Sequence, residues 1–473
     1  MIFSSYKFIF CFFPLVYAVF CFLRMWKRTR LLKIWLVLAS FVFYAIGQPD
    51  FFVIFLASVL FNYLLAYWMA KHSGHAKFCK FLMACSVIEN IGLLVYFKYT
   101  NFILQNFNRI FDIDIPLLSL LLPIGISFFT FQILAFTVSV WRKEIPCPTL
   151  LDYLLFITFF PQLIVGPVVL HQEFLPQIQK NSLLQYDPSD IMRGILLFSI
   201  GAAKKVLLAN PMIQYATAFY TSDISLTTSA QAWLAVVCFT FAYYFDFSGY
   251  IDMARGLGML FGIRLPVNFN SPYKAENFAD FWRRWNITIS RFFDQTVFAR
   301  IFRFGDGIPR LLLATFATFL VSGIWHGASW HFIIWGLVNG FLVAVSHLLT
   351  LYRIKIPKTL GCAVTFFVMM LVRVLFDANC MTDALAVYRK LFSFTGDISG
   401  LLTLCRENLS LLFVVALSAG ICFFAKNSNV LCGGLDALDK PVIRIRHIVF
   451  AAILLVLSIV SMSSVSTFLY FSF

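Results

Sequence analysis

Residues 51–70 read FFVIFLASVLFNYLLAYWMA, 20 consecutive positions without a charged side chain. At 1.5 Å of rise per residue, a helix of that length spans about 30 Å, the thickness of the hydrocarbon core of a bilayer. Apolar segments of the same kind fall at 8–23, 31–47, 81–97, 117–141, 150–170, 191–209, 231–248, 311–325, 329–350, 359–376, 409–425 and 448–464. Several are short for a full span, so about 10 to 12 crossings are expected. The whole chain agrees: its 473 residues are 61% hydrophobic and only 12% charged, with a mean hydropathy of +0.85. Soluble domains carry about 25% charged residues, so 12% cannot clothe a water-soluble fold of this length. A β-barrel would alternate apolar and polar residues in short segments. The reading is an all-α polytopic membrane protein. It forms one membrane-embedded domain over 1–473, with no soluble domain or internal repeat.

A net charge of +15 would point to nucleic acid in a soluble chain. In a membrane protein, basic residues gather in cytoplasmic loops beside anionic headgroups, so no polyanion partner is implied. The 11 cysteines are odd in number and scattered through apolar runs, which fits neither a disulfide framework nor a zinc site. Only Lys7 precedes the first apolar run, while Arg24, Lys27, Arg28 and Arg30 follow it, the reverse of a cleavable signal peptide. Loops 24–30 and 71–80 are basic and the turn at Gln48-Pro49-Asp50 is not, which puts the N-terminus outside. Nine Arg/Lys against five acids in 251–310 make that stretch cytoplasmic. Full crossing by every segment from 117 to 248 would put it on the wrong side, so one of them fails to cross. Segment 150–170 carries the helix breakers Pro161, Gly166 and Pro167; segment 191–209 carries Arg193, Lys204 and Lys205, which suit an interface. Broken backbone at membrane depth is tolerated only inside protein or along a water-filled cavity. An interior cavity is therefore expected.

Chemistry-bearing residues concentrate in four elements. They are Tyr243-Tyr-Phe-Asp246-Phe-Ser-Gly-Tyr-Ile-Asp252-Met-Ala-Arg255, Pro266-Val-Asn-Phe-Asn270, Phe281-Trp-Arg-Arg-Trp-Asn286-Ile-Thr-Ile-Ser290, and Gly323-Ile-Trp-His326-Gly-Ala-Ser-Trp330. With Met1-Ile-Phe-Ser-Ser, Leu122-Pro-Ile-Gly-Ile-Ser-Phe-Phe-Thr-Phe-Gln132, Phe160-Pro-Gln-Leu-Ile-Val-Gly-Pro167 and the ending Phe468-Leu-Tyr-Phe-Ser-Phe473, they resemble the membrane-bound O-acyltransferase superfamily. The nearer likeness is to the bacterial branch that O-acetylates alginate, peptidoglycan and other envelope polymers. It covers nearly the whole chain, with motifs in the same order. It implies re-entrant or interfacial helices around a central tunnel, a catalytic core near 115–350, and residence in the bacterial inner membrane.

The resemblance puts His326 at the position of the family's membrane-embedded catalytic histidine. A neutral imidazole there can take the proton of a hydroxyl as its oxygen attacks a thioester carbonyl, help worth about 10²–10⁴ in rate. A core histidine bonded to a backbone carbonyl is the plain alternative on spacing alone. A metal pair with His331 is disfavoured, because positions i and i+5 point about 140° apart on a helix. No metal is expected. Asn286 is a departure: the branch usually carries His in its Arg-Arg-Trp-x-Ile element. Asn cannot act as a base, but its amide can orient substrate or donate to developing negative charge; it could also cap the turn that follows. Arg283 and Arg284 offer guanidinium forks for the phosphates of coenzyme A, or plain positive-inside anchoring. Asp246 and Trp325 complete the substrate-binding candidates, although a structural role is preferred for Asp246 and Asp252. Asp252 with Arg255, and Arg373 with Asp377, are spaced as ion pairs; Glu89 is a further ionisable group at membrane depth.

The function implied is transfer of an acetyl group from cytoplasmic acetyl-CoA, with no bound cofactor, toward O-acetylation of an envelope polysaccharide or peptidoglycan. The resemblance also implies a separate extracytoplasmic acetyltransferase partner. Export of another acyl unit, such as D-alanine for teichoic acid, is the alternative within the family. A non-catalytic transporter or flippase is the alternative of another class; the paired internal repeats common in transporters are not visible.

Overall fold

The computed structural model describes residues 1–180, 182–185, 187–393, 398–432 and 443–462. The ending motif at 468–473 lies outside them. Every regular element among the described residues is helical, as a bilayer demands of backbone whose N–H and C=O groups must be satisfied within their own segment. Eight described helices are long and apolar enough to cross a membrane: α1 Lys7–Met25, α2 Thr29–Gly47, α3 Pro49–Lys71, α4 Ala76–Phe111, α5 Ser229–Leu260, α6 Ile308–His326, α7 Trp330–Leu351 and α8 Lys358–Asp377. The pair Ile398–Glu407 and Leu409–Phe423, bent by 82°, makes a ninth if it is one span; two shorter apolar helices cover Ile126–Trp141 and Ile445–Val460.

By length and composition alone this is fewer than the 10 to 12 crossings expected from the apolar segments, and two broken segments contribute to the difference. Segment 117–141 is helical only from Ile126, because the chain through Leu122-Pro-Ile-Gly125 is irregular and Gly125 takes a left-handed φ of 83°. Segment 150–170 breaks into Leu150–Thr158 and Phe160–Leu163. A helix of 9 residues rises only about 13.5 Å, so this segment holds no crossing helix. Its broken backbone is enclosed by protein from Leu155 to Val169. Phe160 N–H donates to Ser40 Oγ (3.0 Å) and Val168 N–H to Thr288 Oγ1 (3.0 Å). Segment 191–209 belongs to a helical run that starts at Pro188–Ala203 and continues to Thr221.

The centre is α5, 32 residues long and 89% buried over its most apolar window. It meets Pro188–Ala203 backbone to backbone. A Cβ on Gly201 would stand 2.5 Å from the Gly249 carbonyl oxygen, and one on Gly256 2.5 Å from that of Gly194. Such close approach is how helices associate where lipid supplies no hydrophobic drive. Beside this seam Lys205 pairs with Asp246 (2.5 Å), Lys204 with Asp252 (2.6 Å) and Arg255 with Asp252 (3.8 Å), all with little exposure. The interfacial reading of Lys204 and Lys205 is thus corrected: both ammonium groups point inward, where carboxylates on α5 neutralise them.

Candidate active site

His326 is the last residue of α6, and the chain leaves the helix abruptly because Gly327 is extended (φ −163°, ψ 152°). A Cβ at Gly327 would fall 2.1 Å from the Phe332 ring, so only glycine permits this exit beside the start of α7. Closer to the middle of both helices, Gly323 and Gly336 let α6 and α7 touch through their backbones. The His326 ring sits 4.5 Å from Trp325 and 5.0 Å from both Trp335 and Phe376, centroid to centroid.

Several cavities meet at this ring. A chamber of about 460 Å³ holds Arg283, Asn286, Arg291, Thr315, Ser322, His326 and His347 on its walls. A cleft of about 40 Å³ brings Asn286 and His326 together with Tyr243, Trp285 and Arg373. A passage of about 60 Å³ runs along Ser127, Val165, Trp325 and His326 to Lys98. Lys98 and Leu122 also line a second chamber of about 470 Å³, with Tyr220, Ser329, His331 and Asp377. The first chamber follows α6 from Thr315 to Ser322 and the second begins at Gly327, so they lie at opposite ends of the turns that carry His326.

Asn286 is held in a conformation that suits its residue type. Its φ is 44° and ψ 52°, a left-handed geometry for which Asn is among the most tolerant non-glycine residues. Its side chain makes no cap hydrogen bond to the helix Ile287–Phe293, so the capping reading is set aside. Instead Asn268 fixes it. Asn268 Oδ1 accepts from Thr288 N–H (3.0 Å) and Thr288 Oγ1–H (2.9 Å), which leaves the Asn268 NH₂ to donate to Asn286 Oδ1 (3.0 Å). With its oxygen so engaged, Asn286 has its own NH₂ to offer a ligand in the cavities.

The remaining candidates separate. Arg284 is paired with Asp280 (2.9 Å) and Arg291 is gripped at two points by Glu173 (2.7 and 2.9 Å), whereas Arg283 lines the 460 Å³ chamber with the Ala279 carbonyl as its hydrogen-bond acceptor (3.4 Å). Trp325 lines the passage and stacks on Phe131. Asp246 lines none of the four cavities, its carboxylate being taken by Lys205. His331 begins the next helix across the Gly327 break, so the i, i+5 helix geometry does not apply to it. Its Nδ1 lies 2.8 Å from the Leu375 carbonyl, and it faces the second chamber, which His326 does not line. Arg373 pairs with Asp377 (2.8 Å), as their spacing suggests, and lies 3.6 Å over the Tyr243 ring. Lys98 and residues 369–379 extend the cavity walls beyond the 115–350 core expected from sequence. Sequence reading missed Lys98, and it quoted Asn268 within Pro266-Val-Asn-Phe-Asn270 without giving it a role. The signal for Lys98 was a single charge at the end of a long apolar run.

The membrane-bound O-acyltransferase family model matches residues 127–382. The peptidoglycan O-acetyltransferase of Helicobacter pylori is 36% identical over 428 residues, covering 84% of this chain and 80% of its own. The probable alginate O-acetylase AlgI of Pseudomonas aeruginosa is 32% identical, covering 83% and 75%. The teichoic acid D-alanyltransferase of Bacillus subtilis is 28% identical over 46% of this chain and 58% of its own. The helical architecture, the cavities converging on one histidine and these likenesses agree: the chain is a multi-pass membrane enzyme that belongs to the membrane-bound O-acyltransferase family.

Proposed function

We propose that this enzyme moves an acetyl group from cytoplasmic acetyl-CoA to a hydroxyl acceptor on the far side of the membrane, toward O-acetylation of an envelope polysaccharide or peptidoglycan. The observation that carries the reading is the position of His326, which lines a chamber on one side and the passage toward a second chamber on the other. The acceptor oxygen attacks the thioester carbonyl carbon while His326 takes its proton, general-base help worth about 10²–10⁴ in rate. The Asn286 NH₂ donates to the oxyanion. The C–S bond then breaks and the thiolate leaves with the proton from His326, giving an ester and a free thiol. Arg283, in the chamber lined by residues between Ala279 and Phe298, meets the donor's phosphates, and Trp325 walls the passage. Acetyl is favoured over D-alanyl because likeness to the two acetylating relatives covers 83–84% of the chain, against 46% for the D-alanyl relative.

The orientation proposed has the N-terminus outside the cytoplasmic membrane and the part of the basic 251–310 stretch that joins α5 to α6 within the cell. The test is base-labile acetate on envelope glycans, measured by mass spectrometry in cells carrying the wild-type, His326→Ala or Asn286→Ala chain at equal membrane abundance. His326→Ala should abolish it, and Asn286→Ala should lower it by less. Near-normal acetylation with His326→Ala would remove the general base from this mechanism.

A further inference from the structure

A helix leaves its last four carbonyls without backbone partners, and lipid cannot supply any. Helices commonly solve this with a left-handed glycine that folds the chain back over the end. At the end of α6 that solution is absent, because Gly327 is extended. Gly327 N–H reaches only the Gly323 carbonyl, at 3.4 Å. The other three carbonyls are all taken by side chains from one turn of α4. Tyr99 Oη–H donates to the Ile324 oxygen (2.7 Å), and Lys98 Nζ donates to the oxygens of Trp325 (2.7 Å) and His326 (2.8 Å). That turn, Val95–Tyr99, is π-helical, a departure from α geometry that recurs at functional sites.

We infer that Lys98 is the positioning residue for His326. Its ammonium clamps the carbonyl end of α6, where the negative pole of the helix favours a cation, and so fixes the backbone from which the His326 ring projects. Two of its three N–H groups are spent on this clamp, and its position on the walls of both the passage and the second chamber puts the clamp on the acceptor side of His326. The inference deepens the proposed function and rests on His326 as the base. A base displaced by about 1 Å can lose about 10²-fold in rate, so the clamp acts on turnover rather than on donor binding.

The test compares Lys98→Met, Lys98→Arg and His326→Ala in purified, detergent-solubilised chain and in cells. Acetyl-CoA is the probe donor in vitro; base-labile envelope acetate is the readout in vivo. The expected result is a Lys98→Met chain that melts like wild type. Its kcat should be lower by about tenfold or more, with KM for acetyl-CoA unchanged and activity recovered in Lys98→Arg, whose guanidinium can reach the same carbonyls. A Lys98→Met chain with wild-type kcat, or with only its KM raised, overturns the assignment. Should Lys98→Met be lost from membranes, Lys98→Gln, which keeps a donor for one carbonyl, takes its place with the same two outcomes. Turnover persisting in His326→Ala would defeat the general-base reading itself. An inactive His326→Ala beside a fully active Lys98→Met would defeat only the role of Lys98.

Discussion

The amide at position 286 has its oxygen engaged by a neighbour, which leaves its NH₂ to be offered to a ligand. Asn268 receives two hydrogen bonds from Thr288 on its oxygen, so its nitrogen must meet the oxygen of Asn286. Removing Asn268 frees Asn286 to rotate and leaves buried donors of Thr288 unpaired, each costing about 1–3 kcal/mol. Asn268→Ala should therefore lower the melting temperature of the purified protein and cut acetyl transfer about tenfold, approaching the defect of Asn286→Ala; wild-type transfer would show that Asn286 needs no such support. His326 and Asn286 were legible in the chain because short, distinctive strings surround them. The roles of Asn268 and Lys98 were not, since their partners lie 18 and 227 or more residues away. Nor could sequence choose between Arg283 and Arg284: adjacent residues of one type differ only in which of them finds a carboxylate, here Asp280 for Arg284.

Elements of this protein were legible where apolar length alone decides, as in α1, α2, α3 and α7, and obscured where the chain breaks helical geometry inside the protein. Composition cannot tell an apolar helix from an apolar loop, so 117–125 read as part of a span although Pro123 and Gly125 interrupt it. Conversely α4 runs on through Lys98 to Phe111, because the far end of α6 offers that charge two carbonyls. Charge within Pro188–Thr221 misled for a related reason. Lys204 and Lys205 suited a membrane interface by sequence, yet α5 presents a carboxylate to each. Breaking a buried pair from one side strands a charge and costs about 3–5 kcal/mol, whereas replacing both partners with apolar groups is often neutral. Lys205→Met should consequently fail to accumulate in membranes or melt well below wild type, and Lys205→Met with Asp246→Leu should recover much of the loss. A double variant as unstable as the single would mean that Asp246 does more than balance Lys205.

Taken whole, the molecule sets a chamber on each side of one histidine and narrows between them, and its charge predicts which side is which. The part of the basic 251–310 stretch that joins α5 to α6, residues 261–307, should face the cytoplasm. Single cysteines placed there on a cysteine-free background should resist a membrane-impermeant thiol reagent on intact cells, and labelling at several positions would reverse the orientation. The narrowing bears on what can reach His326. The cleft and the passage beside it hold about 40 and 60 Å³, against about 460 and 470 Å³ for the two chambers. A small group carrying a single hydroxyl could enter so narrow a site, accept acetyl and leave, without a polysaccharide strand having to thread successive hydroxyls to the ring. Final transfer to polymer would then fall to a separate extracytoplasmic protein. Liposomes holding the purified chain with acetyl-CoA on its 261–307 side and polysaccharide on the other should consequently acetylate little polymer until such a partner is added. Efficient polymer acetylation by this chain alone would mean that no relay is needed and that the polymer itself meets His326.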